Sequence, residues 1–121
     1  PNGGANWDRV DDAVPGADDD ATTVSTTTVG AVDTYDTADV SVGSGQVYAV
    51  QTNLYAKKLD AGSREIAAVI RQGGTNYVQS SKALAAGTYV VYSEVLGLDP
   101  TGSAWSITSV NADQFGVKLI S

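Results

Sequence analysis

A chain of 121 residues with no cysteine and no histidine is long enough to bury a single core without staples, yet it lacks the thiolate and imidazole groups of thiol enzymes, zinc hydrolases and Ser-His-Asp hydrolases. Its net charge of −7 comes from one end: residues 1–40 hold nine aspartates against Arg9 alone, and residues 41–121 hold five acids against six bases. An acidic chain without a basic stripe argues against nucleic acid and anionic membranes as partners, and no apolar run approaches the ~20 residues of a membrane helix.

Thirteen glycines and an abundance of Thr and Val point to an all-β chain. Residues 1–20 read as an irregular, acidic lead-in, with Trp7 as an anchor onto the core. The β-branched run Thr22–Val29 is expected to be a strand, and Ala31–Ala38 a weaker one. After the Gly43-Ser44-Gly45 break, Gln46–Leu59 alternates Tyr48, Val50, Thr52, Leu54 and Ala56 against Val47, Ala49, Gln51, Asn53, Tyr55 and Lys57. That is the period of a strand with one buried face. The short turn Asp60–Ser63 makes Arg64–Gln72 its expected hairpin partner, with Ile66, Ala68 and Ile70 inward and Ala67 and Val69 outward.

Gly73-Gly74 leads to a short strand, Thr75–Gln79, and Gly87 precedes Thr88–Leu96, where Val91 is expected inside and Val90, Tyr92 and Glu94 outside. Asp99-Pro100-Thr101-Gly102 is a turn. Ser106–Ala112 is expected to form one helical turn capped by Ser106 or Thr108. Gln114–Ile120 closes the chain as a strand, in which Gly116 marks a bulge or a close backbone approach. The whole of 1–121 is expected to be a single antiparallel β-sandwich or jelly roll with at most one short helical turn. Val50, Leu54, Ile66, Ile70, Val91, Phe115, Val117 and Leu119 are its expected core.

Candidate chemistry is sparse. Asp18, Asp19 and Asp20, helped by Asp11 and Asp12, offer hard oxygens for calcium. They lack the ligand spacing, central Gly and closing Glu of an EF-hand, so a solvated acidic loop is the favoured reading and no metal or cofactor is expected. Glu65 and Glu94 are expected to be surface charges paired with Arg64, Arg71 or Lys57, not a glycosidase dyad. Neither glycine cluster carries the remainder of a phosphate-binding motif. No catalytic residue is assigned. The alternation leaves Tyr35, Tyr55, Val90 and Tyr92 facing outward; they are the candidate interface, for protein contact first and sugar stacking second.

The run Val50-Gln51-Thr52 through Asp60-Ala61-Gly62-Ser63-Arg64, then Ile70-Arg71-Gln72-Gly73-Gly74-Thr75-Asn76-Tyr77, Asp99-Pro100-Thr101-Gly102-Ser103-Ala104-Trp105 and Asn111-Ala112-Asp113-Gln114-Phe115-Gly116-Val117 resembles a family of small virion proteins of tailed bacteriophages and prophages. Trp7–Asp12 and Val24–Gly30 look like its opening. One departure is Ser106–Ser109, where the family more often has an acid ahead of the Asn-Ala pair. The resemblance implies a jelly-roll-like, non-enzymatic protein on the particle surface, a head decoration (cement) protein or a tail appendage, assembled in the host cytoplasm. The outward aromatic and apolar groups of the strands, Val90 and Tyr92 among them, are expected to join other capsid or tail proteins or further copies of the chain as a homo-oligomer. A carbohydrate-binding module for host attachment is the alternative.

Overall fold

The computed structural model describes residues 9, 10, 16 and 20–121. Trp7 and the aspartates at 8, 11, 12, 18 and 19 lie outside the described residues. The elements are β1 (Val32–Asp36), β2 (Val50–Ala56), β3 (Glu65–Gln72), β4 (Thr75–Val78), β5 (Lys82–Ala83), β6 (Val90–Leu96), α1 (Ile107–Ala112) and β7 (Gln114–Leu119). They form an antiparallel β-sandwich. The larger sheet runs β1-β7-β3-β4, with β5 also on β3, and the smaller sheet is the pair β2-β6. The pairing is nested: the first strand lies beside the last, and the second beside the last but one.

β3 shows why the expected β2–β3 hairpin does not form. Its residues Ile66, Ala67, Ala68, Val69 and Ile70 are all buried, so the alternation of large and small apolar groups marks a strand covered on both faces, not one with a wet side. Such a strand takes the centre of the larger sheet, between β7 and the β4 and β5 strands. The Asp60–Ser63 turn therefore carries the chain from one sheet to the other. It is held by the bond from Lys58 Nζ to the Gly62 carbonyl and by Arg64, whose Nε and Nη2 donate to Asp60 Oδ2 at 3.0 and 2.7 Å. Gly73 and Gly74, at φ +56° and +84°, supply the left-handed pair that a two-residue β3–β4 hairpin demands.

Thr22–Val29 belongs to no strand; it bends at Thr22, runs irregularly through Thr28 and enters a turn at Val29. Its threonines satisfy the backbone locally, as when Thr28 N–H donates to Thr26 Oγ1 at 3.1 Å, and a turn through Gly30 (φ +86°) then closes with Ala31 N–H on the Thr28 carbonyl. β2 begins at Val50, four residues later than expected, and Tyr48 is 79% exposed.

β6 has the opposite facing from that expected. Its register puts Leu96, Glu94 and Tyr92 beside Val50, Thr52 and Leu54 on the inner side, and Val91, Ser93 and Val95 beside Tyr55, Asn53 and Gln51 on the outer side. Both faces of this strand carry apolar groups, so alternation alone could not choose between them. Specific bonds do: Tyr92 accepts the Ala85 N–H at 2.7 Å, Glu94 meets Lys82 at 2.7 Å, and Trp105 Nε1 donates to the Leu96 carbonyl at 2.9 Å. Val91 is thus removed from the core, at 40% exposed, whereas Ala67, Val69 and Trp105 join it. Val50, Leu54, Phe115 and Val117 are half-buried.

α1 starts where expected. Ser106 accepts the Ser109 N–H at 3.0 Å, and the Ser109 hydroxyl accepts the Ser106 N–H at 3.0 Å, a capping box in which serine fills the usual acidic position.

Candidate assembly surface

The outer face of the smaller sheet is built from three cross-strand rows: Gln51 with Val95, Asn53 with Ser93, and Tyr55 with Val91. In the middle row Asn53 Oδ1 accepts from Gln51 Nε2 at 2.8 Å and from Ser93 Oγ at 2.7 Å, which fixes the polar groups flat against the sheet. On either side stand apolar groups in water, Val95 at 62%, Val91 at 40% and Tyr55 at 37% exposed. Exposed apolar groups flanking a preset polar row give this face the mixed composition of a contact surface.

One end of this face is locked. Tyr55 and Tyr89 stack with centroids 4.9 Å apart, and Lys57 Nζ lies 4.4 Å from the Tyr89 centroid. Asp20 completes the group, with Oδ2 taking Lys57 Nζ at 2.7 Å and Oδ1 taking the Tyr89 hydroxyl at 3.0 Å. Hydrogen bonds from Lys57 first and Tyr89 second hold the Asp20 carboxyl below the usual carboxylate range. Sequence reasoning missed Tyr89 and Val95 because the facing of β6 was inverted, and it placed Lys57 outward without joining it to Asp20, 37 residues away along the chain.

Of the four residues expected at an interface, Tyr55 lies on this face. Val90 is also exposed but sits at the strand end, in register with Ala56. Tyr92 faces inward, and its expected place outside is corrected. Tyr35 belongs to the larger sheet, paired with Phe115, where its hydroxyl donates to Asp33 at 2.9 Å. Burial first, and then the Asp33 carboxylate, push its ionisation upward. Glu94 is corrected in the same way: its partners are Lys82 and Ser80, not Arg64, Arg71 or Lys57.

Both Asp20 oxygens are thus occupied by partners within the chain, and no group of three or more acidic, His or Cys side chains is gathered among the described residues. Melting curves in excess calcium and in chelator are expected to superimpose. A site filled at 100 times its Kd would add about 2.7 kcal/mol, so an upward shift with calcium would contradict the solvated-loop reading.

A second polar group ties β3 to the far turn. Asp113 is nearly buried, and Gln72 Nε2 donates to it at 3.1 Å. Burial raises the Asp113 pKa, with the nearby Asp99 charge adding to it and the Gln72 bond opposing. Asp99 itself is held low by the Thr101 hydroxyl and the Ser103 N–H. The signs separate these groups. Asp20, Asp60, Glu94 and Asp99 are depressed in the fold; they contribute stability above their ordinary values of 3.8 to 4.5 that is lost as pH falls through the folded values. Asp113 is raised above 3.8, so acidification from above that value favours the folded state until the other four begin to protonate. A melting series from pH 7 to 3 should show a fall below about pH 4; Asp113→Asn should remove any gain that precedes it and leave the fall in place.

The chain matches no protein-family model, no curated protein and no solved structure. No helix of the described residues is long and apolar enough to cross a membrane.

Proposed function

We propose that this chain is a non-enzymatic structural protein of the surface of a tailed-phage particle, a capsid decoration or tail appendage that acts by protein–protein assembly. The observation that carries the reading is the outer face of the smaller sheet, where Tyr55, Val91 and Val95 stand in water around a fixed Gln51-Asn53-Ser93 network. The phage context rests on the resemblance of the sequence motifs to small virion proteins, and the nested strand pairing is compatible with a jelly roll. On a symmetric particle one such face is reused many times, so modest affinity per contact becomes firm attachment.

Immunogold labelling of intact particles tests this directly. Label at regular positions on the head or tail is expected, and Val95→Arg should abolish attachment of the purified protein to particles lacking it. Particles without label would overturn the reading. The stacked Tyr55–Tyr89 pair, with Asp20 and Lys57 at its edge, favours a second reading, a sugar-binding platform for host attachment; retention of a glycan on an array, lost in Tyr55→Ala, would establish it.

A further inference from the structure

Residues 20–30 connect the two sheets. At the near end Asp20 is bonded to Lys57, which follows β2, and to Tyr89, which precedes β6, so this end is tied to the smaller sheet. The far end belongs to the larger sheet: Gly30 N–H donates to the Leu119 carbonyl of β7 at 2.9 Å, and Ala31 N–H to the Thr28 carbonyl at 3.0 Å. Between the ends the hold is slight. Among the described residues no backbone hydrogen bond joins 23–27 to either sheet. Thr22, Thr23 and Val24 are half-buried, and 25–28 are exposed. The segment nonetheless lines the same open cavity as β1, β2 and the β7 residues Phe115 and Val117.

The near-end contact has the character of a catch that opens. The Asp20 side chain is 70% exposed and that of Lys57 only 12%, so water and salt reach the carboxylate while the ammonium stays held against the Tyr89 ring. Exposed ion pairs are weak and are screened by salt. Lys57 is also shared: the Tyr89 ring beneath it stacks on Tyr55 of the outer face. A group that takes Lys57 from the side of that face takes it from Asp20 as well.

We infer that residues 20–28 are a strap closed by an ionic latch, Asp20 on Lys57 and Tyr89, whose release loosens the segment from the cavity between the sheets and uncovers the Lys57 ammonium at the end of the outer face. This rests on the assembly reading and gives its contact surface a control. Salt opens the latch by screening, and a partner carboxylate that pairs with Lys57 opens it by competition. Seating of the strap and engagement of that end of the face are thereby coupled through one side chain, each weakening the other.

The chain has no cysteine, so Val24→Cys places a single thiol at a half-buried position of the strap. Its labelling by a neutral maleimide reads how often the strap opens. Asp20→Ala and Lys57→Gln, each made in the Val24→Cys chain, are expected to speed labelling about two- to fivefold, with hydrogen exchange of the β3 amides unchanged. Salt at about 1 M, where the screening length is ~3 Å, should speed the parent and leave both variants as they are. Asp20→Ala also removes a negative charge close in sequence to the thiol and makes it more acidic, whereas Lys57→Gln does the reverse. Acceleration in Asp20→Ala alone would therefore be a charge effect and would overturn the latch. Equal rates in all three chains, a parent thiol that reacts as fast as in denaturant, or β3 amides that exchange faster in step with labelling would overturn it too. Particle attachment enters none of these outcomes and tests the assembly reading by itself.

Discussion

Gly116→Ala is expected to unfold the β1 edge of the sandwich. A methyl group on Gly116 would overlap the Asp33 carbonyl oxygen and lie 2.7 Å from Thr34 Cα and 2.8 Å from the Asp33 carbonyl carbon. All three are backbone atoms, so no side chain can swing aside. β1 would have to leave β7, the one strand it pairs with among the described residues, taking Tyr35 and the Thr34–Gln114 bond with it. Overpacking of a well-packed site costs about 1–3 kcal/mol and occasionally more; loss of a strand places this one at the upper end or beyond. Chemical denaturation should show the loss. A ΔΔG below about 0.5 kcal/mol, within the range of ordinary surface substitutions, would mean that β1 and β7 are not so closely apposed.

Trp105→Ala should cost about 3–5 kcal/mol, the usual range for removing a large buried aromatic. Trp105 is 3% exposed and joins the segment before α1 to the end of β6 through the Leu96 carbonyl. Trp105→Phe separates the two contributions: it keeps most of the apolar volume and loses the indole N–H, so it should recover most of the stability but leave the Leu96 carbonyl unpaired at about 1–3 kcal/mol. If alanine and phenylalanine are equally mild, the side chain is not the closure of that end of the core.

The sequence made the strand content legible because period-2 alternation and glycine turns are local signals. They located β2, β3, β4, β6 and β7 within a few residues, and the Ser106 cap marked α1. Pairing is not local. Asp60–Ser63 looks like a hairpin turn whether the chain returns beside β2 or crosses to the other sheet, and only the double burial of Ala67 and Val69 separates the cases. Facing failed where both sides of a strand are apolar, so Val91 and Tyr92 exchanged places with respect to expectation. The Asp20–Lys57–Tyr89 group was hidden for a different reason: its members lie far apart along the chain and meet only once the N-terminal segment is folded back.

The nested pairing has a consequence for synthesis. β1 is made before the other described strands and has no paired strand among the described residues until β7 is available. The sandwich therefore cannot form strand by strand in chain order; the larger sheet closes only after β7 has been made. Folding dominated by such distant contacts runs in milliseconds to seconds, not microseconds. Throughout that interval the uncharged β2 is without its partner strand, while the aspartates concentrated in the first forty residues give neighbouring nascent chains like charge and so mutual repulsion.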